Sequence, residues 1–477
     1  MFTEVALTTS STDPTSYLWD VRSGTVYFSF KQNLCPKAGL ATVPVHAAPG
    51  NRVGVVIAAQ ADKPVVNVYT WQKDQAHIKC ICPEKLVVLA ASNRGTYCAG
   101  GTEGGKVYVW EIATGNLLRI FDAHYKRVSV LRFTNDDTAL VSGGDDAGVN
   151  VWLLSSLLDD TATDAPTPHY SWPDHTLPIT DIMCGLGSFR AARILTSSLD
   201  HTCKLWDLAT GTLLTTFLLP HPVTALALDP AERSLFAAAG NAVHQIEMYR
   251  RREESGYSVE IEAVGGGGVV EGVGGEGKRG GGLIFRGHSA SITSLALTLS
   301  ASLLLSASDD GTVVVWDVAS RQPVRTFSQH TGAVTTVRCL LRPPELSPAS
   351  GEQKWQVPVV QQFRRMRRTE VEEREEGVGC RIAGNMEVGG EGGGAGVPDY
   401  NLEYGAAVGG ALTTSRAGTA AQSSHAGKGA ARAGIWWAGR GVYEGKKEGK
   451  GMMGWRIRLA HGGGRNDVIA GLNRLSI

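Results

Sequence analysis

Three sets of histidine, hydroxyl and carboxylate side chains recur at regular spacing and could, by residue type, form hydrolytic triads. The sets are His124, Ser142 and Asp146; His175, Thr196 and Asp200; and His288, Ser306 and Asp310. In a Ser–His–Asp triad, a histidine that a carboxylate orients removes the proton from a nucleophilic hydroxyl. Acyl-transfer chemistry is therefore the first hypothesis to weigh.

The recurrence of these sets argues against catalysis. Each hydroxyl is followed, ten residues later, by a tryptophan: Trp152, Trp206 and Trp316. Catalytic triads do not recur once per structural unit, whereas a buried polar chain can hold a repeat together if every member finds a partner. We interpret the twelve residues as structural tetrads. No other nucleophile, carboxylate pair or metal cluster stands out, so the sequence predicts a protein that is not an enzyme.

The tetrads belong to a repeat that covers most of the chain. A tryptophan, usually followed by an acidic residue, ends short β-branched segments at positions 19, 110, 152, 206 and 316. Trp71 and Tyr249 are assigned to the same position in two weaker copies. Three of the six spacings lie near the ~40–45 residues of a WD40 blade. Seven copies predict an all-β, seven-bladed WD40 β-propeller.

The two ends of the repeat region predict ring closure. VALTTS and SYLWDV supply two N-terminal strands, and PVRTFSQH and AVTTVRCL, after Trp316, supply two more. N- and C-terminal half-blades would join into one blade and remove exposed sheet edges. The propeller is expected to span residues 1–341.

Three segments depart from the repeat. Residues 251–282 form a glycine-rich insertion between blades, which we interpret as a flexible loop. Its GxxxxGK pattern, from Gly272 to Lys278, is followed by Arg279 and not by the Ser or Thr of a phosphate-binding loop. Residues 342–376 are predicted to be a charged linker with a short helix over 363–376. Residues 377–477 are predicted to be a glycine-rich, disordered tail.

The composition narrows the function classes. The formal net charge is zero, but residues 401–477 hold 11 basic and 4 acidic side chains. The rest of the chain, which includes the folded part, is therefore mildly acidic. We do not expect the folded part to bind nucleic acid. Eight cysteines without a CxxC pair predict reduced core thiols. We expect no metal and no cofactor. No apolar run approaches ~18 residues, which predicts a soluble protein that is not secreted and has no membrane partner.

Several segments resemble one family more closely than a generic WD repeat does. SYLWDVRSGTVYFSFK, CPEKLVVLAASNRGTYCAGG and ILTSSLDHTCKLWDLATGTLLTTF are similar to nuclear WD-repeat pre-rRNA-processing proteins, known in plants through defects in root initiation. The resemblance covers about residues 1–341. The sequence departs from the repeat pattern at two places. In the third blade Gly100 and Gly104 replace Ser and Asp, and in the sixth blade Tyr249 replaces Trp.

The resemblance implies a non-catalytic scaffold subunit of a nuclear complex, in the nucleoplasm and nucleolus, that binds late precursors of the large ribosomal subunit (pre-60S). It implies removal of the second internal transcribed spacer of pre-rRNA and recruitment of a midasin-type AAA ATPase. It also links the family to assembly of the pre-replicative complex. No small-molecule substrate is implied.

A second function class stays open, because fold alone does not define function. A generic WD40 adaptor, such as a substrate receptor for ubiquitin ligation or a chromatin reader, would show the same tetrads. No partner-binding residue is assigned at this stage.

Overall fold

The computed structural model describes residues 3–43, 54–159, 165–253, 259–263, 268–273, 283–343, 346, 358 and 360–367. These residues are almost entirely β-strand, because the repeats are short runs of β-branched and apolar residues with turn residues at both ends. A single helical turn, α1 (Leu154–Leu157), is the only helix of four or more residues within these ranges.

The strands of the first half of the chain are β1 (Glu4–Ser10), β2 (Ser16–Asp20), β3 (Val26–Phe30), β4 (Leu40–Val43), β5 (Val55–Ala59), β6 (Val65–Thr70), β7 (Ile78–Ile81), β8 (Leu86–Ala91), β9 (Tyr97–Thr102), β10 (Lys106–Glu111), β11 (Leu117–Asp122), β12 (Val128–Phe133), β13 (Ala139–Gly144), β14 (Val149–Leu153) and β15 (Tyr170–Trp172). Those that follow are β16 (Ile179–Cys184), β17 (Arg193–Ser198), β18 (Thr202–Asp207), β19 (Leu213–Leu218), β20 (Val223–Leu228), β21 (Ser234–Ala239), β22 (Ala242–Glu247), β23 (Tyr249–Glu253), β24 (Val259–Ala263), β25 (Val269–Gly272), β26 (Leu283–Arg286), β27 (Ile292–Leu297), β28 (Leu303–Ser308), β29 (Val313–Asp317), β30 (Pro323–Phe327) and β31 (Val334–Leu341).

These strands form seven blades, which confirms the predicted seven-bladed β-propeller. From the inner to the outer strand, blade 1 is β31-β1-β2-β3, blade 2 is β4 to β7, blade 3 is β8 to β11, blade 4 is β12 to β15, blade 5 is β16 to β19, blade 6 is β20-β21-β22-β26 and blade 7 is β27 to β30. The innermost strands of blades 2 to 7 and of blade 1 pack in succession around the centre of the ring, from β4 through β8, β12, β16, β20 and β27 to β31.

Blade 1 closes the ring with strands from both ends of the repeat region. β31 pairs antiparallel with β1 from Glu4↔Leu341 to Ser10↔Val334. The N-terminal segment supplies three strands and β31 supplies one, where two from each were expected. The difference arises because PVRTF, which is β30, pairs with β29 as the outer strand of blade 7. Each outer strand thus pairs with the third strand of its own blade.

The hydrophobic core lies between adjacent blades. Alternating residues of each strand face the next blade, so every cluster joins two sheets. Aromatic rings stack between neighbouring blades: Trp19 of blade 1 lies 4.6 Å from Phe327 of blade 7, and Trp206 of blade 5 lies 4.5 Å from Trp172 of blade 4, measured between ring centroids. Such pairs contribute roughly 0.5–1.5 kcal/mol beyond the burial of their area.

The insertion at 251–282 is not the featureless loop expected. β23 and β24 form an antiparallel hairpin, and β25 pairs in parallel with β19 as a fifth strand of blade 5. The VEIEA sequence of β24 alternates apolar and charged residues, a strand pattern that the neighbouring glycines obscured. Val269 and Val270 are 50% and 65% exposed, so β25 is a surface edge strand.

The segment after the propeller is described at residues 360–367, which have no helical turn. A helix was expected over residues 363–376, of which the structure describes 363–367. These residues are not helical, because they pack along blade 3 as an irregular strap. Residues 368–376 of that helix and the tail at 377–477 lie outside the described residues. No helix in the described ranges is long and apolar enough to span a membrane.

Candidate functional site

The four tetrad residues of blade 4 form one chain of polar contacts. His124 Nδ1 lies 3.0 Å from Asp146 Oδ1, and His124 Nε2 lies 2.9 Å from Ser142 Oγ. The Trp152 indole N–H donates to Ser142 Oγ at 3.0 Å. β13 and β14 are neighbouring strands that place Trp152 two residues from the position opposite Ser142, while His124 precedes β12 and Asp146 lies in the β13–β14 turn. Burial lowers the pKa of His124, against the opposing effect of Asp146.

Blade 5 repeats this arrangement. His175 Nδ1 lies 2.9 Å from Asp200 Oδ2, His175 Nε2 lies 2.9 Å from Thr196 Oγ1, and the Trp206 indole N–H donates to Thr196 at 3.0 Å. Burial alone would raise the pKa of Asp200, but hydrogen bonds with His175 and Thr202 hold that pKa well below its usual range. Asp200 is therefore a carboxylate that its neighbours stabilise in the charged form.

Blade 7 holds the third predicted tetrad. His288 Nδ1 lies 3.1 Å from Asp310 Oδ2, His288 Nε2 lies 2.7 Å from Ser306 Oγ, and the Trp316 indole N–H donates to Ser306 at 2.8 Å. Burial would raise the pKa of Asp310, but hydrogen bonds from Thr312 and His288 lower it below its usual range. All twelve predicted residues thus lie in three groups of four.

The geometry of these groups does not suit nucleophilic catalysis. Ser142, Thr196 and Ser306 have no exposed surface, and each already accepts the indole N–H of its blade. A catalytic hydroxyl must reach a substrate carbonyl. A hydroxyl enclosed between two sheets instead satisfies the buried imidazole and indole, which would otherwise cost about 1–3 kcal/mol each.

A fourth tetrad joins the two ends of the propeller and was missed in the sequence. His330 Nε2 lies 2.9 Å from Thr8 Oγ1, His330 Nδ1 lies 3.2 Å from Asp13 Oδ2, and the Trp19 indole N–H donates to Thr8 at 3.0 Å. Thr8 and Asp13 precede Trp19 by nearly the tetrad spacing, which is a visible signal. The histidine, however, stands 322 residues from Thr8, so the set appears only once β31 has paired with β1.

Blades 2 and 6 lack a tetrad, and the strand register corrects two assignments made from sequence. The position that Trp152 takes opposite Leu140 is held by Tyr69 in blade 2 and by Ile246 in blade 6, and not by Trp71 or Tyr249. In blade 6 the turn between β21 and β22 has only two residues, and this shortening moves the equivalent position toward the N-terminus. Tyr249 instead begins β23.

Blade 3 keeps its tryptophan but has no hydroxyl beside it. Gly100 pairs with Tyr108 at the position of the missing Ser, and a Cβ there would lie 2.7 Å from Leu86 Cδ1 and 3.1 Å from Trp110 Cζ3. No side chain fits without movement of these neighbours. The Trp110 indole N–H instead donates at 2.9 Å to the backbone carbonyl of Arg364, which is 254 residues away.

This acceptor belongs to a strap, residues 360–367, that lies along blade 3 and the outer strand of blade 2. The Phe363 ring stacks on Trp110, with centroids 5.4 Å apart and planes 10° apart, and is 3% exposed. The Phe363 N–H donates to Cys80 Sγ at 3.3 Å, and the Arg364 N–H donates to Gly115 O at 2.8 Å. The strap therefore supplies the partner that the blade itself lacks.

The approach of the strap requires glycine at position 115. Gly115 has φ +70°, in the left-handed region, and a Cβ there would collide with the backbone of Gln362. The Arg365 Nε–H donates to Ile81 O at 3.2 Å, which ties the end of the strap to β7. These contacts attach the strap to two blades.

The described cysteines are free thiols, and no three His, Cys, Asp or Glu side chains in the described ranges lie close enough to hold a metal ion. Burial raises the pKa of Cys80, and burial with the charge of Cys80 raises the pKa of Cys82 to about 12. Both thiols are therefore protonated at neutral pH.

The ring of seven blades, four of which hold a His–Ser/Thr–Asp–Trp tetrad, defines a WD40-repeat β-propeller. The family described as "WD domain, G-beta repeat" matches residues 115–152, 166–207 and 282–317, which include the Trp strands of blades 4, 5 and 7.

Individual relatives narrow this class. The chain is 35% identical to human WD repeat-containing protein 18, over 71% of this chain and 73% of the relative. It is 34% identical to the Arabidopsis thaliana protein ROOT INITIATION DEFECTIVE 3, over 69% of each chain, and 36% identical to Yarrowia lipolytica Pre-rRNA-processing protein IPI3, over 59% of this chain and 64% of the relative. The chain belongs to the WD-repeat family that contains these three proteins.

Proposed function

We propose that this protein is a non-catalytic scaffold in ribosome biogenesis, needed for maturation of pre-60S particles and for removal of the second internal transcribed spacer. The observation that carries the proposal is its similarity, over most of the propeller, to relatives named for pre-rRNA processing. The buried hydroxyls of the tetrads support the non-catalytic part of this proposal, because the residues that resemble a catalytic triad stabilise the blades.

A scaffold acts through its surfaces, and one face of blades 4 and 5 carries exposed apolar side chains. Tyr125 is 98% exposed and follows the tetrad histidine of blade 4, while Leu177 and Leu199, at 46% and 37%, flank the tetrad turns of blade 5. The backbone N–H groups of Tyr125 and Thr176 donate to the tetrad carboxylates, so these loops are held in place. Neighbouring exposed aromatic and aliphatic groups are typical of protein-binding surfaces.

The partners that this proposal entails are protein subunits of a nuclear pre-60S maturation complex, including a midasin-type AAA ATPase, and the pre-ribosomal particle itself. The protein would accordingly act in the nucleoplasm and nucleolus. No membrane and no small-molecule substrate take part in this role.

Affinity purification of the tagged full-length chain from nuclear extract tests the proposal. Large-subunit precursor particles with spacer-containing RNA should copurify, together with an AAA ATPase of the midasin type. Recovery of a cullin and its adaptor, or of nucleosomes, without these particles would contradict the proposal and favour a generic WD40 adaptor.

Two matched variants test the role of the exposed face. Tyr125→Ala combined with Leu177→Ser should reduce recovery of the complex roughly tenfold and leave the unfolding midpoint unchanged, because both side chains are exposed in the free protein. Leu186→Ser is the control: Leu186 is 52% exposed in the β16–β17 loop, at the opposite end of blade 5. Equal recovery with both variants would exclude this face as the binding surface.

A further inference from the structure

The centre of the propeller holds a cavity that neither the tetrads nor the proposed scaffold role explains. It has a volume of about 270 Å³ and is lined by the innermost strands of six blades, or by residues beside them. This volume has room for several water-sized groups.

The cavity is electrostatically unbalanced. Lys37, Arg132 and Arg338 line it, and Asp181 is the one carboxylate that does so within the described ranges, which leaves a formal charge of +2. Asp181 is itself largely committed: its two oxygens accept the backbone N–H groups of Ile182, at 2.9 Å, and Leu226, at 3.0 Å. The Arg132 side chain approaches the same carboxylate only to 3.5 Å.

The three cations have more donors than the protein uses. Lys37 Nζ donates to Thr224 O at 2.8 Å, and Arg132 Nε donates to Ile182 O at 3.2 Å. The Arg338 guanidinium has five N–H donors, and no described residue accepts a hydrogen bond from them. Burial lowers the pKa of Lys37, and burial with repulsion from Arg132 lowers the pKa of Arg338 to about 9. Arg338 therefore stays charged at neutral pH without a hydrogen-bond acceptor.

Hydroxyl groups complete the lining. Thr336 is 6% exposed, lines the cavity, and its Oγ1 is buried without a hydrogen-bond partner in the described part of the chain. Guanidinium and ammonium donors that the protein leaves unused are the donor set that phosphoryl and sulfuryl oxygens take up in proteins.

We infer that this central cavity binds a small multivalent oxyanion of the phosphate or pyrophosphate class, with Arg338 as its principal ligand and Lys37 and Arg132 as further donors. A guanidinium can hold two oxygens of such an anion at once, and a charge of −2 or more would balance the cavity. The site is independent of the proposed scaffold role, since its lining does not include Tyr125, Leu177 or Leu199 of the proposed binding face.

The test uses the full-length chain, purified without phosphate, with inorganic phosphate and pyrophosphate as probes and sodium chloride at matched ionic strength as reference. Saturating pyrophosphate should raise the unfolding midpoint by about 3 °C, because a ligand that binds only the folded state stabilises it. Isothermal titration calorimetry should give one site per chain. An absence of binding by both probes would overturn the inference.

Variants distinguish the cavity from general surface attraction. Arg338→Gln should weaken pyrophosphate binding at least ~10-fold, through loss of charge-assisted hydrogen bonds. Lys37→Gln provides a second test and should act in the same direction. Arg233→Gln is the control, because the Arg233 side chain is 72% exposed and pairs with Asp229 on blade 6. Equal affinity in Arg338→Gln and Arg233→Gln would overturn the inference.

The unliganded protein gives a further readout that a purely structural arginine would not produce. Without anion, Arg338→Gln should leave the unfolding midpoint unchanged or raise it, because it removes a charge that Arg132 repels. A large fall in the midpoint of the anion-free variant would show that the arginine has a structural acceptor, and it would contradict the assignment.

Discussion

Removal of one aromatic ring from the strap should open blade 3 locally without unfolding the propeller. Phe363 is 3% exposed and stacks on Trp110, so Phe363→Ala removes both buried area and a parallel aromatic contact. Core Phe→Ala substitutions cost about 3–5 kcal/mol. The strap lies at the outer side of the ring and can relax, so we expect a value near the lower limit, about 3 kcal/mol.

This loss of free energy shifts the equilibrium between the closed and the open strap. It does not shift global unfolding, because the other blades keep their contacts. A cost of about 3 kcal/mol increases the open fraction roughly 100-fold. The Cys80 thiol reports this opening directly: it is fully buried, and its sulfur accepts the Phe363 N–H at 3.3 Å. A thiol reagent should therefore label Cys80 about 100 times faster in Phe363→Ala.

Mass spectrometric mapping of the labelled cysteines after timed exposure is the assay. Met366→Ala is the control, since Met366 is 80% exposed on the same strap and should leave the labelling of Cys80 unchanged. Cys203, which is fully buried in blade 5, is the internal reference for global unfolding. An unchanged Cys80 rate, or an equal acceleration at Cys203, would refute the local role of the strap.

Four further predictions concern the tetrads and the insertion. Asp200→Ala should lower the free energy of unfolding by about 1–3 kcal/mol, since a buried His loses its acceptor. Asp13→Ala should lower it by a similar amount and should also speed proteolysis at β1. Equal proteolysis of the two variants would contradict the role of the Asp13 tetrad in closing the ring. Burial lowers the pKa of His124 and His330 below 6.5, so the unfolded chain binds more protons and the free energy of unfolding should fall as pH drops below about 6.5; an unchanged urea midpoint between pH 7.5 and 5.5 would contradict this. Replacement of residues 265–282 by a short linker should preserve folding, because β25 is a half-exposed edge strand, and insoluble protein would show that blade 5 needs it.

The propeller and three of its tetrads could be predicted because their information is local. Each set lies within one blade, so spacing alone brings His124, Ser142, Asp146 and Trp152 together. Seven blades could be counted correctly in spite of the two weak copies, because the strand at the tryptophan position is apolar in those copies as well. Register was harder, since the short β21–β22 turn makes Ile246, and not Tyr249, the counterpart of Trp152.

The remaining features depend on contacts between residues that are far apart in sequence. The closing tetrad needs His330 from one end and Thr8 from the other, and the strap brings Arg364 to Trp110 across 254 residues. In the sequence, the missing hydroxyl at Gly100 indicates only a degenerate repeat. In the structure, it is the position at which the strap supplies the hydrogen-bond acceptor for the Trp110 indole. The central cavity combines residues from six blades, and no spacing in the sequence connects them.

The central claim, that this chain supports maturation of the large ribosomal subunit, is tested most directly by depletion of the protein followed by northern analysis of rRNA precursors. Precursors that retain the second internal transcribed spacer should accumulate, while small-subunit rRNA matures normally. Re-expression of the full-length chain should restore processing. Normal spacer removal after depletion, or a defect confined to the small subunit, would contradict the account.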